Sequence, residues 1–284
     1  MVKIRVPASS ANLGPGFDSF GIALSLYNEY TFELADHLEI LGCPPECSDE
    51  RNLSVIAFKA TLKVLGEPYT GLKMTVKASI PFSSGLGSSA ATIVAGAKGA
   101  NALYGNRLTN EQLLYICNEI EGHPDNVAPA IYGGMTVSVV QNGIPYCVQY
   151  PVCSDLRFVV MTPDFPLSTK EARRVLPQVV SRQDAIYNLS HAGLLPKALE
   201  LGDERLIRLA IQYRLHEPFR RPLITDLTLV EKAAMDLGAI AFCISGAGPT
   251  CLCITKDPHL AEKLQKELHT PNSHWDIKEL KIAL

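Results

Sequence analysis

The stretch "PFSSGLGSSAATIVAGAKGAN", residues 81–101, sets serines and glycines directly before a small-residue run with helical spacing. A helix that begins at Ser88 leaves its first amides without intrahelical partners, and its dipole puts partial positive charge there. Gly85 and Gly87 permit positive φ and a close backbone approach. Ser83, Ser84, Ser88 and Ser89 offer hydroxyls to phosphate oxygens or a magnesium ion. The combination reads as a polyphosphate cradle rather than a plain serine N-cap after a flexible turn. It has no GK[ST], so it is not a Walker A loop. Gly85, Gly87 and Ala90 fit GxGxxA, but a dinucleotide site needs a following strand and an acid about 20 residues on. Here "YGNRLTNEQ" turns into another helix, and the dinucleotide reading fails.

Two further glycine-bearing stretches share this character. "VPASSANLGPGFDSFGIAL" (6–24) gathers Asn12, Asp18 and several glycines after the first strand, and "ISGAGPTC" (244–251) makes a glycine turn between apolar strands. Taken singly each is a tight connection; together they read as walls of one cleft.

The elements that must position these loops follow from periodicity. Branched or alternating runs predict strands over 3–9, 30–35, 72–78, 135–140, 157–163, 239–245 and 250–256, with a final extended "WDIKELKI". Helical spacing predicts helices over 52–65, 88–104, 110–121, 183–200, 203–214, 225–237 and 258–268, and Thr109 followed by Glu111 and Gln112 marks a capped start. Helix 88–104 is followed by another helix, so the chain reads as α+β rather than as a doubly wound parallel sheet. "QYPVCSD" (149–155) is the expected boundary, and the second part suits a split β-α-β-β-α-β sheet with a helical insertion.

The totals bound the function. With 284 residues, 47% of them hydrophobic, the chain can bury one large core or two smaller ones. A net charge of -3 gives no pull toward nucleic acid or an anionic membrane. No apolar run approaches the roughly 20 residues of a membrane span, and "MVKIRVPASSANLGPG" is not a signal peptide. The eight cysteines form no CxxC pair and lack histidines at zinc spacing; reduced core thiols and a cytoplasmic location are expected.

"PFSSGLGSSAA" resembles the ATP loop of the GHMP kinases, the superfamily of galactokinase, homoserine kinase, mevalonate kinase and phosphomevalonate kinase. Within it, "SSANLGPGFDSFGIAL", "EGHPDNVAPAIYGG" (121–134), "STKEARRVLP" (168–177), "EPFRRPL" (217–223) and "ISGAGPT" (244–250) look like the homoserine kinases, in unbroken order from Val6 to about Thr250. The resemblance implies a two-domain GHMP kinase fold. Residues 1–153 would form an N-terminal ATP-binding domain like domain 2 of ribosomal protein S5, and 154–284 a ferredoxin-like C-terminal domain. It further implies frequent homodimers and ATP-dependent phosphorylation of L-homoserine to O-phospho-L-homoserine, the branch toward threonine.

The site is carried over residue by residue. Pro81, Phe82, Ser83, Ser84, Gly85, Leu86, Gly87, Ser88, Ser89, Ala90 and Ala91 match the ATP loop. Ser89 and Glu121 match magnesium ligands, with Ser88 the alternative to Ser89. Arg173 and Arg220 match positions that would clamp the acceptor's carboxylate, a task a planar guanidinium performs with two hydrogen bonds. Thr169 adds a hydroxyl, and Asn12, Asp18, His123, Asp125 and Gly248 match other positions around the acceptor. Arg174 and Arg221 are expected to be surface charges. Asp125, with Asn126 beside it, matches a base in mevalonate kinase-like members; general base and substrate positioner both stand as readings. The chain departs from many relatives in having a single glycine between Glu121 and His123.

Two other functions are compatible with such a fold. A different acceptor, a polyol or isoprenoid acid, could use one arginine, but two arginines plus "EGHPDNVAP" favour an amino acid. A non-catalytic nucleotide-binding regulator would have lost an acid or serine of the magnesium set, whereas Ser88, Ser89, Glu121 and Asp125 are all present.

Overall fold

A computed structural model describes residues 1–284. Strand β1 (Val2–Ala11) alternates exposed and covered residues in its first half and is buried thereafter. It pairs antiparallel with the long β2 (Phe20–Leu34), with a register shift at Pro7/Ala8. The other edge of β2 is shared. Its start pairs with β5 (Met135–Gln141) and its end with β4 (Leu72–Lys77), which in turn holds the short parallel β3 (Leu38–Leu41). β6 (Ile144–Tyr150) closes the hairpin with β5 and forms an unpaired edge.

Four helices cover this sheet. α1 (Leu53–Leu65) starts at Asn52, whose side chain accepts from the Ser54 amide, and stops at Gly66 in left-handed geometry. α2 (Ser88–Leu103) is built of alanine, glycine and small residues, so it sits close under β1 and against α1. α3 (Asn110–Glu121) starts at Thr109 as expected, with a capping box: Thr109 accepts from the Gln112 amide, and the Gln112 side chain accepts from that of Thr109. α4 (Pro124–Tyr132) was not apparent from sequence periodicity. Pro124 stands where no donor is needed, and Pro129 removes the amide that would have bonded Asp125. β2 exploits the gap, for a Cβ on Gly21 would lie 1.9 Å from the Asp125 carbonyl oxygen.

The second half is a four-stranded antiparallel sheet in the order β10-β7-β9-β8: β7 (Arg157–Pro163), β8 (Ala241–Ile244), β9 (Cys251–Thr255) and β10 (Trp275–Leu280). With α9 (Leu227–Asp236) and α10 (Leu260–Glu267) it completes the β-α-β-β-α-β arrangement expected of a ferredoxin-like unit. The insertion comprises α5 (Thr169–Arg174), α6 (Arg182–Leu201), α7 (Glu204–Ala210) and α8 (Glu217–Arg220); α5 and α8 are too short to announce themselves by period. α7 also ends at Ala210, four residues before the predicted stop.

One hydrophobic cluster runs from β1 and α2 through Phe158, Leu195, Ile207 and Leu252, so both sides of Cys153 share a core. The C-terminal tail returns to the first sheet, where Ala283 exchanges backbone bonds with Ala23 and Gly134. All eight cysteines are free. No helix is long and apolar enough to cross a membrane.

Candidate active site

The loop before α2 is held by its carbonyls. Those of Ser83, Ser84, Gly85 and Leu86 accept from Leu167, Thr250, the Ser245 hydroxyl and Ser9. The amides of residues 82–90 donate to no protein acceptor. A run of free donors at a helix N-terminus is an anion site. Gly87 takes φ 68°, and a Cβ there would lie 2.1 Å from Ser9 Oγ, so only glycine fits. Ser9 Oγ in turn donates to Asn126 Oδ1 at 2.8 Å, tying β1 to α4 beneath the loop.

The loop forms the middle of a cleft of about 360 Å³. Of the predicted loop residues, Phe82, Ser83, Ser84, Gly85, Gly87, Ser88 and Ser89 line it. Pro81, Leu86, Ala90 and Ala91 do not; the last three are buried and pack the helix against the sheet. At one end the wall is Asn28, Tyr30, Cys43, Cys47, Met74 and Val76, from β2, β4 and the connection after β3. Sequence reasoning missed this end, because apolar strand residues look like core. Asn28 has a traceable role: its side-chain oxygen accepts from the amides of Ser79 and Ile80 and sets the loop's entry.

The other end gathers Asn12, Asp18, His123, Asp125, Asn126, Thr169, Arg173 and Arg220. Gly248 is the exception among the predicted acceptor residues. It lies outside the cleft wall, against Gly85, while Gly246 and Ala247 of the same turn line it. Gly122 takes φ 90° and ends α3, and His123 is already the N-cap of α4, so a short connection suffices to turn the chain between them.

Ser89 Oγ donates to Glu121 Oε2 at 2.8 Å. Burial raises the Glu121 carboxyl above its ordinary value, and the Ser89 hydroxyl and His123 offset this only in part. No group of three His, Cys, Asp or Glu side chains is set to hold a metal alone. Two hard oxygens on an under-compensated acid, facing a phosphate loop, nonetheless fit a divalent cation whose shell is completed by phosphate and water.

Asp125 is 3% exposed. Its Oδ1 meets His123 Nδ1 at 2.7 Å and accepts from Asn126 Nδ2 at 3.2 Å, leaving Oδ2 without a protein partner. Burial lowers the His123 pKa, but the hydrogen bond to Asp125 and its charge outweigh this and leave it raised.

The two arginines differ. Arg173 makes a two-pronged pair with Asp18, at 2.7 and 3.0 Å. Arg220 is 1% exposed and meets no carboxylate. Its Nε donates to the Ala172 carbonyl at 3.1 Å and its Nη1 to that of Gly246 at 2.8 Å; Nη2 has no protein acceptor. Burial pulls its pKa down to about 10, helped by the nearby charge of Arg173. Arg174 is exposed, as expected. Arg221 is not a free surface charge: it is half-buried and bridges Glu217 and Glu231.

Comparison with known proteins agrees with this geometry. The GHMP kinases N terminal domain profile matches residues 52–134, and the GHMP kinases C terminal profile matches 195–274. Homoserine kinases of Clostridium botulinum (strain Okra / Type B1) and Clostridium beijerinckii are 39% and 41% identical to the chain. Each alignment covers 99% of this chain and 96% of the relative. The crystal structure of homoserine kinase from Cytophaga hutchinsonii is 30% identical, with a TM-score of 0.90 over 99% of this chain and 94% of that one. The L. major mevalonate kinase structure, at 18% identity and a TM-score of 0.75, shares the fold over 99% of this chain and 95% of its own.

Proposed function

The chain belongs to the homoserine kinase family of the GHMP kinases, and from that premise we propose that it transfers the terminal phosphoryl group of ATP to the hydroxyl of L-homoserine. The products are ADP and O-phospho-L-homoserine. The observation that carries the acceptor assignment is Arg220, a buried guanidinium with no carboxylate in hydrogen-bond contact and with Nη2 free of protein acceptors. A buried, unpaired charge is costly, by several kcal/mol in order of magnitude, and a substrate carboxylate relieves that cost.

In this reading the free amides of residues 82–90 bind the phosphates, and the apolar end with Tyr30, Met74 and Val76 takes the nucleoside. Ser89 and Glu121 would hold Mg²⁺, which would supply neutralisation of charge on the transferred phosphoryl. Arg173 and Arg220 orient the carboxylate; Asp18, Asn12 and Thr169 surround the amino and hydroxyl ends. Asp125, held through Oδ1, turns Oδ2 to the acceptor hydroxyl and takes its proton as the bond to phosphorus forms.

We propose a homodimer as the assembly. Its support is the uncovered face of β5 and β6: Val139, Ile144, Tyr146 and Val148 are exposed, and no charged residue occurs between Met135 and Tyr150. Monomeric proteins usually blunt an open edge with charge. An edge that pairs with its own copy must instead avoid setting like charges opposite each other.

The test is phosphate transfer with ATP, Mg²⁺ and a panel of hydroxy acids, in which homoserine is the preferred acceptor. Preference for mevalonate or a sugar would overturn the acceptor but keep the kinase. Arg220→Ala should raise the KM for homoserine far more than that for ATP, and equal losses would remove Arg220 from the acceptor site.

A further inference from the structure

The structure assigns to His216 the role of positioning residue for the acceptor clamp: a neutral hydrogen-bond acceptor that aims the Arg220 guanidinium without cancelling its charge. This inference rests on the reading of Arg220 as the carboxylate clamp.

His216 is fully buried, between the rings of Phe17 (centroids 5.0 Å apart) and Tyr213 (4.5 Å). Its Nε2 lies 3.2 Å from the Gly14 carbonyl oxygen, and its Nδ1 lies 3.3 Å from Arg220 Nη1. A carbonyl can only accept, so Nε2 carries the proton; a guanidinium can only donate, so Nδ1 is bare. The two contacts fix one tautomer. Burial, reinforced by the charge of Arg220, pulls the imidazole pKa down to about 3, so the ring stays neutral at working pH.

Every protein partner of Arg220 is therefore neutral: the Ala172 and Gly246 carbonyls and the His216 ring. A carboxylate in place of the imidazole would hold the guanidinium as firmly, but it would compete with the substrate's own carboxylate. The imidazole also joins the clamp to the loop after β1. Gly14 lies between Asn12 and Asp18, and Asn12 Nδ2 donates at 2.8 Å to Gly246 O, the same carbonyl that Arg220 Nη1 meets. Asn12 Oδ1 accepts from the Asp18 amide. α8, the 244–251 turn and the 12–18 loop thus share one hydrogen-bonded network, and His216 is its buried link between the clamp and the loop.

Two neutral variants separate the two nitrogens. The amide of asparagine reaches about as far as Nδ1, and that of glutamine about as far as Nε2. His216→Gln keeps a donor for Gly14 and loses the acceptor for Arg220; roughly a ten- to hundredfold rise in the homoserine KM is expected, as for loss of a hydrogen bond to a charged group. His216→Asn keeps that acceptor and should raise it by less than about threefold; in both, kcat and the ATP KM should stay within about twofold. With L-homoserinamide, which has no carboxylate, His216→Gln and the parent should have the same KM.

Equal effects of the two variants on homoserine and ATP, or an unchanged homoserine KM in His216→Gln, would overturn the inference. The parent protein gives a readout that needs no variant: ¹⁵N NMR of its histidines should show a neutral Nε2–H ring at His216 from about pH 5 to 9, given its depressed pKa. A protonated ring or the Nδ1–H tautomer would also overturn it. Failure of the clamp reading is distinguishable, because Arg220→Ala would then discriminate homoserine from homoserinamide as the parent does.

Discussion

Asp18 and Arg173 face each other in a two-pronged ion pair, at 2.7 and 3.0 Å, that joins the loop after β1 to the short helix α5. The hydrogen bonds that Arg173 donates to Asp18 raise its pKa against the opposing effect of burial. Both side chains are more than a third exposed, so water screens the pair and its worth to folding is small, about 0–1 kcal/mol. Its value is geometric: it holds a planar fork at the cleft. Arg173→Lys keeps the charge and loses the fork. The homoserine KM should rise about tenfold or more while Tm moves by no more than about 1–2 °C. A Tm loss without a KM effect would make the pair structural.

Glu121 gives a prediction of opposite sign for stability and activity. Its raised pKa means that the folded protein resists the charged form, so this cost appears as pH rises through the folded value. Glu121→Gln removes the charge and still offers an oxygen to Ser89. The metal-free variant should gain about 1–3 °C in Tm at neutral pH. It should also lose the Mg²⁺-dependent increment in Tm seen with ATP present, and most of its turnover. Retention of that increment would remove Glu121 from the metal site.

Asp125 is tested by Asp125→Asn, which preserves shape and removes the proton acceptor. Loss of a general base lowers kcat by roughly 10²- to 10⁴-fold, with the ATP KM unchanged. A drop of less than about tenfold would leave Asp125 as a positioner of the hydroxyl only.

The histidine beside it supplies a pH signature. The His123 pKa is raised from its ordinary 6.5, because the bond and charge of Asp125 outweigh burial. The stability that the charged pair contributes is complete below about pH 6.5 and is lost as pH rises through the higher folded value. The Tm difference between the parent and His123→Asn should therefore be largest near pH 5–6 and shrink toward pH 9. A difference that grows with pH would contradict a protonated His123 on Asp125.

What could be read beforehand follows the physics of each feature. The loop before α2 was legible because it needs glycine at fixed backbone angles and a helix directly behind it, and both leave marks in sequence. The succession of elements in the second half was legible because its strands are short, branched runs punctuated by helices. α4 was hidden by Pro124 and Pro129, although it carries Asp125 and Asn126. There the helix period competes with proline, and Gly21, more than a hundred residues away, compensates. The apolar end of the cleft was hidden because Tyr30, Met74 and Val76 look like core until a cleft opens beside them. Gly248 was carried over from the resemblance, but it is Gly246 of the same turn whose carbonyl joins Asn12 to Arg220. His216 gave no signal, since a lone histidine with no metal-ligand or nucleophile spacing around it is ordinarily a satisfied structural residue.

The open β6 edge yields the last prediction. Val148 lies on the exposed face, opposite Val137 of β5, and the hairpin presents six exposed branched or aromatic side chains with no charge among residues 135–150. A glutamate at position 148 would remain solvated in a monomer, costing little there. In an antiparallel pair of β6 edges it would be brought close to its symmetry mate and desolvated, and a buried like-charge contact costs several kcal/mol. Val148→Glu should therefore shift the sedimentation coefficient from dimer to monomer at micromolar concentration, with Tm changed by less than about 2 °C once the loss of assembly is accounted for. The cleft is assembled within one chain, so kcat per protomer should be retained. A parent protein that sediments as a monomer at every concentration, or a variant that stays dimeric, would show that this face is not where two copies meet.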